Sequence, residues 1–466
     1  MGFTDVTAEI NNDDQNSIVA EKADIIRRNK IILDAIRRCH SDDKSFIAKT
    51  ANVSWPTVNT FLSKYTGETQ IVINDGTAYR MNLDYALFLG VAVGARETKV
   101  TLVTLDFDGI TEEFLKKHHL KDFFNILRGF DDLHPKKSEQ YLDYCETMVC
   151  YETKNDLDYI SRMCNKIIRS AINYFSGHEK LNLLGIGLTF PGIISKEDLQ
   201  INFCPNINCL NNVYVLNLLH EDIIVEMNRQ SISLCIAHDT AAITVFEKEN
   251  LYKSDIHHIH QDKENIVCLY LGMGLGCGII INNQLLSGKT NSIGEIGHIP
   301  APPIDEKLLE KQDTVITSLC HCKEDNCLEK AIRVHVFGAS TPEQLIQTTT
   351  LEYLQDFHIK YPDRYEIFKH YLRYIFTIII DLFNPDLIIL SGRILNSMTE
   401  LKTDAYMLKQ SSGISLPAAN CCILNGSDRP DCVAIGAGIL AYYKLIESNQ
   451  RNDVSGMNFN VRWNKK

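Results

Sequence analysis

Apolar and polar positions along this chain change period several times, and each change marks an element. Near the N-terminus Ile25, Ile32, Leu33 and Ile36 fall on one side of a helix that displays Arg27, Arg28, Lys30, Arg37 and Arg38 elsewhere. Phe46, Ile47 and Ala48 predict a second, short helix over Lys44 to Thr50. After Ala51-Asn52-Val53 a third helix opens at Ser54, whose side-chain oxygen can take one of the unpaired amide protons of the first turn. Pro56 is tolerated in that turn, and Val58, Phe61 and Leu62 supply the buried side. Helix, short helix, turn and capped helix make a helix-turn-helix pattern, and 67–84, with its turn at Asn74-Asp75-Gly76, reads as a two-stranded wing. The third helix of such a module enters the major groove by its N-terminal part. Ser54, Trp55, Thr57, Asn59, Thr60 and Lys64 are therefore the candidate DNA contacts.

From residue 86 the pattern becomes that of strands. Residues 86–109 read as a hairpin around Gly94-Ala95-Arg96-Glu97, and 112–178 as mostly helical. His118 and His119 are adjacent, so on a helix their rings diverge, and a solvated face is the expectation. A strand over 181–190 ends at Pro191-Gly192; of the asparagines that follow, Asn206 is a candidate contact for a polyol. The run Ile232 to Ala237 delivers His238 and Asp239 to a strand end, where an aspartate could orient or deprotonate a hydroxyl, or cap the next helix. A second hairpin runs from Ile266 to Ile281 through Gly272, Gly274, Gly276 and Gly278, a turn that offers backbone amides to a ligand. Three helical segments broken near Pro362, strands at 387–392 and 419–424, and a closing helix over 433–446 with Gly436-Ala437-Gly438 complete the chain.

Chemistry concentrates at 295–329. Glu295 and His298 are followed by Cys320, Cys322 and Cys327; one imidazole and three thiolates complete a tetrahedral zinc set with no position left for a catalytic water. Such a metal is structural. Glu295 lies three residues from His298 and could bind a hydroxyl beside the metal, and Glu329 follows the last cysteine closely enough to approach the same pocket.

Composition adjusts this picture in two places. The formal charge is −12 over 466 residues, which argues against a chain that coats nucleic acid, yet residues 22–64 carry nine Lys or Arg against four Asp. The fifteen cysteines are irregularly spaced outside 320–327, and no apolar signal segment opens the chain, so a cytoplasmic protein is expected. Tyr374 to Phe383, an apolar run, is too short to span a bilayer.

Gly294-Glu295-Ile296-Gly297-His298, the cysteine stretch 320–329, the motifs at 188–192, 271–280 and 384–392, and the terminal glycine pair together resemble the ROK family of bacterial sugar kinases, open reading frames and repressors. The resemblance extends over about residues 22–447, and the N-terminal module is that of the regulator branch. It implies an α/β fold: a winged helix-turn-helix followed by two actin-like, ribonuclease-H-like lobes with a structural zinc loop. It also maps zinc onto His298, Cys320, Cys322 and Cys327, and sugar contacts onto Glu295, His298, Glu329 and Asp239. The kinase members' Asn-Asp-x-Asn appears here as His238-Asp239-Thr240-Ala241, and their phosphate-binding opening as Ala92 to Glu97, without its first acid, threonine or lysine. Met273 stands where kinases carry a hydroxyl residue.

The expected domains are a flexible leader (1–20), a DNA-binding module (21–81), a first lobe (82–237, closed by 434–447), a second lobe (238–433) and a tail (448–466). The expected function is a transcriptional repressor of carbohydrate-metabolism genes, not an enzyme, controlled by a sugar or sugar phosphate between the lobes. Its expected partners are operator DNA and a second copy of the chain, as a dimer or a tetramer, and no membrane. A sugar kinase with a regulatory DNA-binding domain, and a repressor whose ligand pocket has decayed, are the alternatives.

Overall fold

The computed structural model describes residues 6–39, 41–133, 135–136, 144, 146–178, 180–253, 263–304, 320, 322, 326–398 and 400–447. The stretch read as a C-terminal tail and most of 305–325 lie outside them. Helix α1 spans Val6–Cys39, bent where Asn29 leaves helical geometry, and so occupies most of the stretch expected to be a loose leader. From Val19 onward the helix buries a stripe at helical spacing, Val19, Ala23 and Ile26, that continues into Leu33 and Ile36. Helix α2 (Lys44–Ala51) is capped by Asp43 and ends at Asn52 with φ 52°; α3 covers Trp55–Tyr65. Strands β1 (Val72–Asn74) and β2 (Tyr79–Met81) pair antiparallel. Their turn is fastened by Asp75, whose carboxylate accepts from the Thr77 and Ala78 amides at 2.8 and 2.9 Å.

Internal contacts gather the chain into two units, one of residues up to Ala242 together with those from Val433, the other Ile243–Cys432. In the first, β3 (Leu87–Val93), β4 (Glu97–Val103), β5 (Met148–Glu152) and β6 (Leu183–Phe190) form a sheet. A three-stranded sheet of β7 (Ile193–Ile194), β8 (Gln200–Phe203) and β9 (Val213–Tyr214) follows, before β10 (Ser233–His238) joins the main sheet in the order β10-β6-β3-β4-β5. In the second unit β11 (Ile266–Leu271), β12 (Leu275–Ile281), β13 (Gln284–Leu285), β14 (Leu387–Ser391) and β15 (Cys422–Asn425) order as β13-β12-β11-β14-β15. Numbered within its own unit, each main sheet reads 3-2-1-4-5. The first three strands are antiparallel and the last two run parallel to the first. The same architecture is thus built twice from two separate stretches of sequence. Strand β5 interrupts the stretch 112–178, which is otherwise mostly helical as expected: the α-helices among its described residues are Glu112–Lys117, Lys121–Arg128 and Leu157–Ser176. The final strand starts at Cys422 and not at 419, because Ser415–Asn420 forms a short helix that buries Ala418.

Two glycines set how closely the C-terminal helix, Cys432–Glu447, packs on the first sheet. A Cβ on Gly90 of β3 or Gly187 of β6 would lie 1.8 Å from the carbonyl oxygen of Ala434 or Ala437 respectively. No side chain fits at either place. His118 also departs from expectation: its ring is buried, 2.7 Å from Asp84, which pairs with Lys117 as well. Burial lowers the imidazole pKa, opposed by the Asp84 carboxylate. No helix among the described residues is long and apolar enough to cross a membrane.

Candidate functional sites

The candidate DNA face is carried by α3. Ser54 caps it, accepting from the Thr57 amide at 3.4 Å and sharing a hydrogen bond with the Thr57 hydroxyl at 2.7 Å. Val58, Phe61 and Leu62 fix the helix to the core while Ser54, Trp55, Thr57, Thr60 and Lys64 stay exposed. Asn59 is half-buried, and its side-chain oxygen accepts from Lys44 Nζ at 2.8 Å, tying α3 to the start of α2. Not all of the local positive charge faces outward. Lys22 Nζ donates to the Tyr85 carbonyl at 2.6 Å, and burial pulls its pKa down to about 8. Arg27 donates to the Leu445 carbonyl at 3.0 Å, and Arg37 pairs with Asp34 while stacking 3.5 Å over the Phe107 ring. Three of the nine cations therefore dock α1 onto the rest of the first unit, which leaves a smaller basic face than the sequence suggests.

Within the first unit, Asn206 is half-buried in the turn after β8. At the end of β10, His238 Nδ1 lies 3.1 Å from the Thr240 amide, 2.6 Å from its hydroxyl and 3.0 Å from the Asp239 carboxylate. Burial raises the Asp239 pKa, and the His238 ring pulls it the other way. Ala92, the last residue but one of β3, carries a methyl group and so cannot hold the metal that phosphoryl transfer needs.

The second unit builds its site on β12. The Gly294 carbonyl accepts from the Cys277 amide at 2.8 Å, and Gly294 has φ +92°. A Cβ there would sit 1.7 Å from the Cys277 carbonyl oxygen, and one on Gly297 would sit 2.4 Å from that of Leu275. Only glycines let this turn press against the strand. It projects Glu295 and His298, whose Oε2 and Nε2 are 3.6 Å apart, so the other ring nitrogen turns inward. That nitrogen, Nδ1, is 3.3 Å from Cys320 Sγ, and Cys320 and Cys322 are 3.2 Å apart. The ligand atoms of His298, Cys320, Cys322 and Cys327 all lie within 4.8 Å of one another. Tetrahedral zinc, with bonds of about 2.3 Å to sulfur and 2.0 Å to nitrogen, spaces its ligands by roughly 3.5–3.8 Å, so this donor set fits such an ion. The bond to Cys320 raises the His298 pKa, helped by Glu329 and Glu295, while burial opposes it.

Glu329 is held by two partners within the second unit. Its Oε2 accepts from the Leu275 amide at 2.7 Å, and Oε1 lies 2.9 Å from Arg333 Nη2, both side chains being nearly buried. Arg333 also donates to the Met273 carbonyl. Sequence reasoning missed Arg333, although its place four residues after Glu329, one helical turn on, was a usable signal.

A model of the ROK family matches residues 158–444. Among curated proteins, the DNA-binding transcriptional dual regulator NagC of Escherichia coli (strain K12) is 26% identical over 149 residues, 32% of this chain and 30% of that protein. The xylose repressor of Bacillus subtilis (strain 168) is 26% identical over 220 residues, 46% of this chain and 50% of that protein. The match thus spans from about a third to half of these relatives' lengths. A glucokinase is matched as well. A crystal structure of a ROK family transcriptional regulator, a homologue of the E. coli MLC protein, superposes with a TM-score of 0.59 at 17% identity, covering 92% of this chain and 98% of the other, which shows a shared fold.

Proposed function

The chain belongs to the ROK family, and from that membership we propose that it is a DNA-binding transcriptional regulator, a repressor of carbohydrate-metabolism genes, and not an enzyme. The observation that carries this reading is α3: a capped helix, anchored by Val58, Phe61 and Leu62, that leaves Trp55, Thr57 and Thr60 exposed on a module a kinase does not need. The similarity to NagC and to a xylose repressor supports the same class. Two copies would set their α3 helices in successive major grooves about 34 Å apart, so a homodimer, or a tetramer built from it, is the proposed assembly.

The effector is a sugar or sugar phosphate. In the second unit Glu295 and His298 present a carboxylate and a ring N–H from one rigid turn, with a structural zinc on His298, Cys320, Cys322 and Cys327 fixing the ring. Asn206, His238 and Asp239 are the proposed ligand residues of the first unit. An inducer acts by preferring the conformation that binds the operator badly. The test is anisotropy of labelled duplexes from upstream of the gene against random duplexes. Asn59→Ala should erase more of the preference than of the general affinity, and equal losses on both duplexes remove α3 from base reading. The kinase reading keeps Asp239 in its favour; ATP turnover that Asp239→Asn abolishes would restore it.

A further inference from the structure

The glycine turn between β11 and β12 is held from one side by two residues of a single segment. Leu275, the first residue of β12, gives its amide to Glu329, and the Met273 carbonyl accepts from Arg333. The two side chains pair with each other at 2.9 Å and are each 9% exposed. A glycine turn ordinarily leaves its amides for water or for an anion. Here a carboxylate, itself paired with Arg333, has taken the Leu275 amide.

The segment that carries both residues begins at the metal set. Cys327 caps the helix Leu328–Ala331, which runs on as a wider turn over Ile332–Val336. The Ala331 amide donates to the Cys327 carbonyl at 2.9 Å. On the other side the strand-like stretch after His298 is fastened to the same place: Leu328 donates to Ile299 at 2.9 Å, and Ala301 to Asn326 at 2.8 Å. The position of Cys327 therefore sets the positions of Glu329 and Arg333.

We propose that Glu329 and Arg333 are positioning residues, a clasp through which metal at His298, Cys320, Cys322 and Cys327 fixes the glycine turn. The clasp rests on the zinc reading of those four residues and not on the identity of the effector.

The test is hydrogen exchange of the full chain, zinc-loaded and chelated, followed in peptides covering 271–277 and, as reference, 387–391 of β14. Chelation should speed exchange in the turn roughly tenfold, the loss of one hydrogen bond to a charged acceptor, and leave β14 unchanged. Arg333→Ala should exchange in the turn as fast when loaded as the chelated parent does, while still binding one zinc per chain, and Arg333→Lys should recover part of the protection. A turn that ignores chelation overturns the clasp. So does an Arg333→Ala protein whose turn keeps its full response to zinc, or a β14 peptide that accelerates equally, which would make the effect global. A chain that binds no zinc overturns the metal reading and the clasp together.

Discussion

Replacing Gly294 by alanine tests whether the turn that carries Glu295 and His298 is as tightly constrained as its contacts imply. Two separate costs arise. Gly294 holds φ +92°, where an alanine is strained by about 1–2 kcal/mol. Its new Cβ would also lie 1.7 Å from the Cys277 carbonyl oxygen, far inside contact distance, so the turn must lift from β12. Lifting breaks the 2.8 Å bond from the Cys277 amide to the Gly294 carbonyl, worth about another 1–2 kcal/mol once its partners are buried. The sum is about 3 kcal/mol, roughly a hundredfold in a folding equilibrium. Because His298 moves with the turn, zinc affinity should fall by roughly ten- to a hundredfold. Gly288→Ala separates the two costs: φ is +67° there, but the nearest atom to a new Cβ is 3.8 Å away, so only about 1 kcal/mol is expected. Urea unfolding of the zinc-loaded proteins and zinc competition against a chelating dye read both effects. If Gly294→Ala costs no more than Gly288→Ala and binds zinc like the parent, the close packing on β12 does not constrain the site.

Two further predictions concern other parts of the chain. Glu247 is buried, accepts from the Ser391 hydroxyl at 2.8 Å and the Ser427 amide at 3.0 Å, and burial raises its pKa to about 7. The raised value means that the folded form holds its proton more tightly than the unfolded one. Stability from this group is therefore complete below about pH 4.5 and is lost as pH rises through 7, by roughly 3 kcal/mol. Glu247→Gln should flatten the difference in urea midpoint between pH 5 and pH 8, and a variant as pH-sensitive as the parent excludes the carboxyl as its source. Ser54→Ala removes the cap of α3 at about 1 kcal/mol, and should weaken DNA binding several-fold while zinc content stays the same; an unchanged affinity would mean that α3 does not need its cap to dock.

Much of the molecule was legible because its signals are local. The cap at Ser54, the tripartite helix pattern and the His-Cys spacing each depend on residues close in sequence, and the structure brings the four metal candidates together. What the sequence hid depends on partners far along the chain. Lys22, Arg27 and Arg37 looked like DNA-facing charge, but their partners are Tyr85, Leu445 and Phe107. Strand β5 is five residues set among helices, and only its pairing with β4 makes it a strand. The spacing of Glu329 from Cys327 is local; that it also serves the turn at Leu275 is a contact across 54 positions. Buried His118 was misread for the same reason, since its partner Asp84 lies 34 positions away.

The most direct test of the central claim is DNA binding under effector titration. Zinc-loaded protein is screened by thermal shift against monosaccharides, amino sugars and their phosphates, and each stabilising compound is titrated into the complex with upstream DNA. The account predicts that at least one such compound both raises the melting temperature and releases the DNA. Tight DNA binding that no sugar or sugar phosphate relieves would contradict a sugar-controlled repressor, and a chain that binds no DNA at all would contradict the regulator.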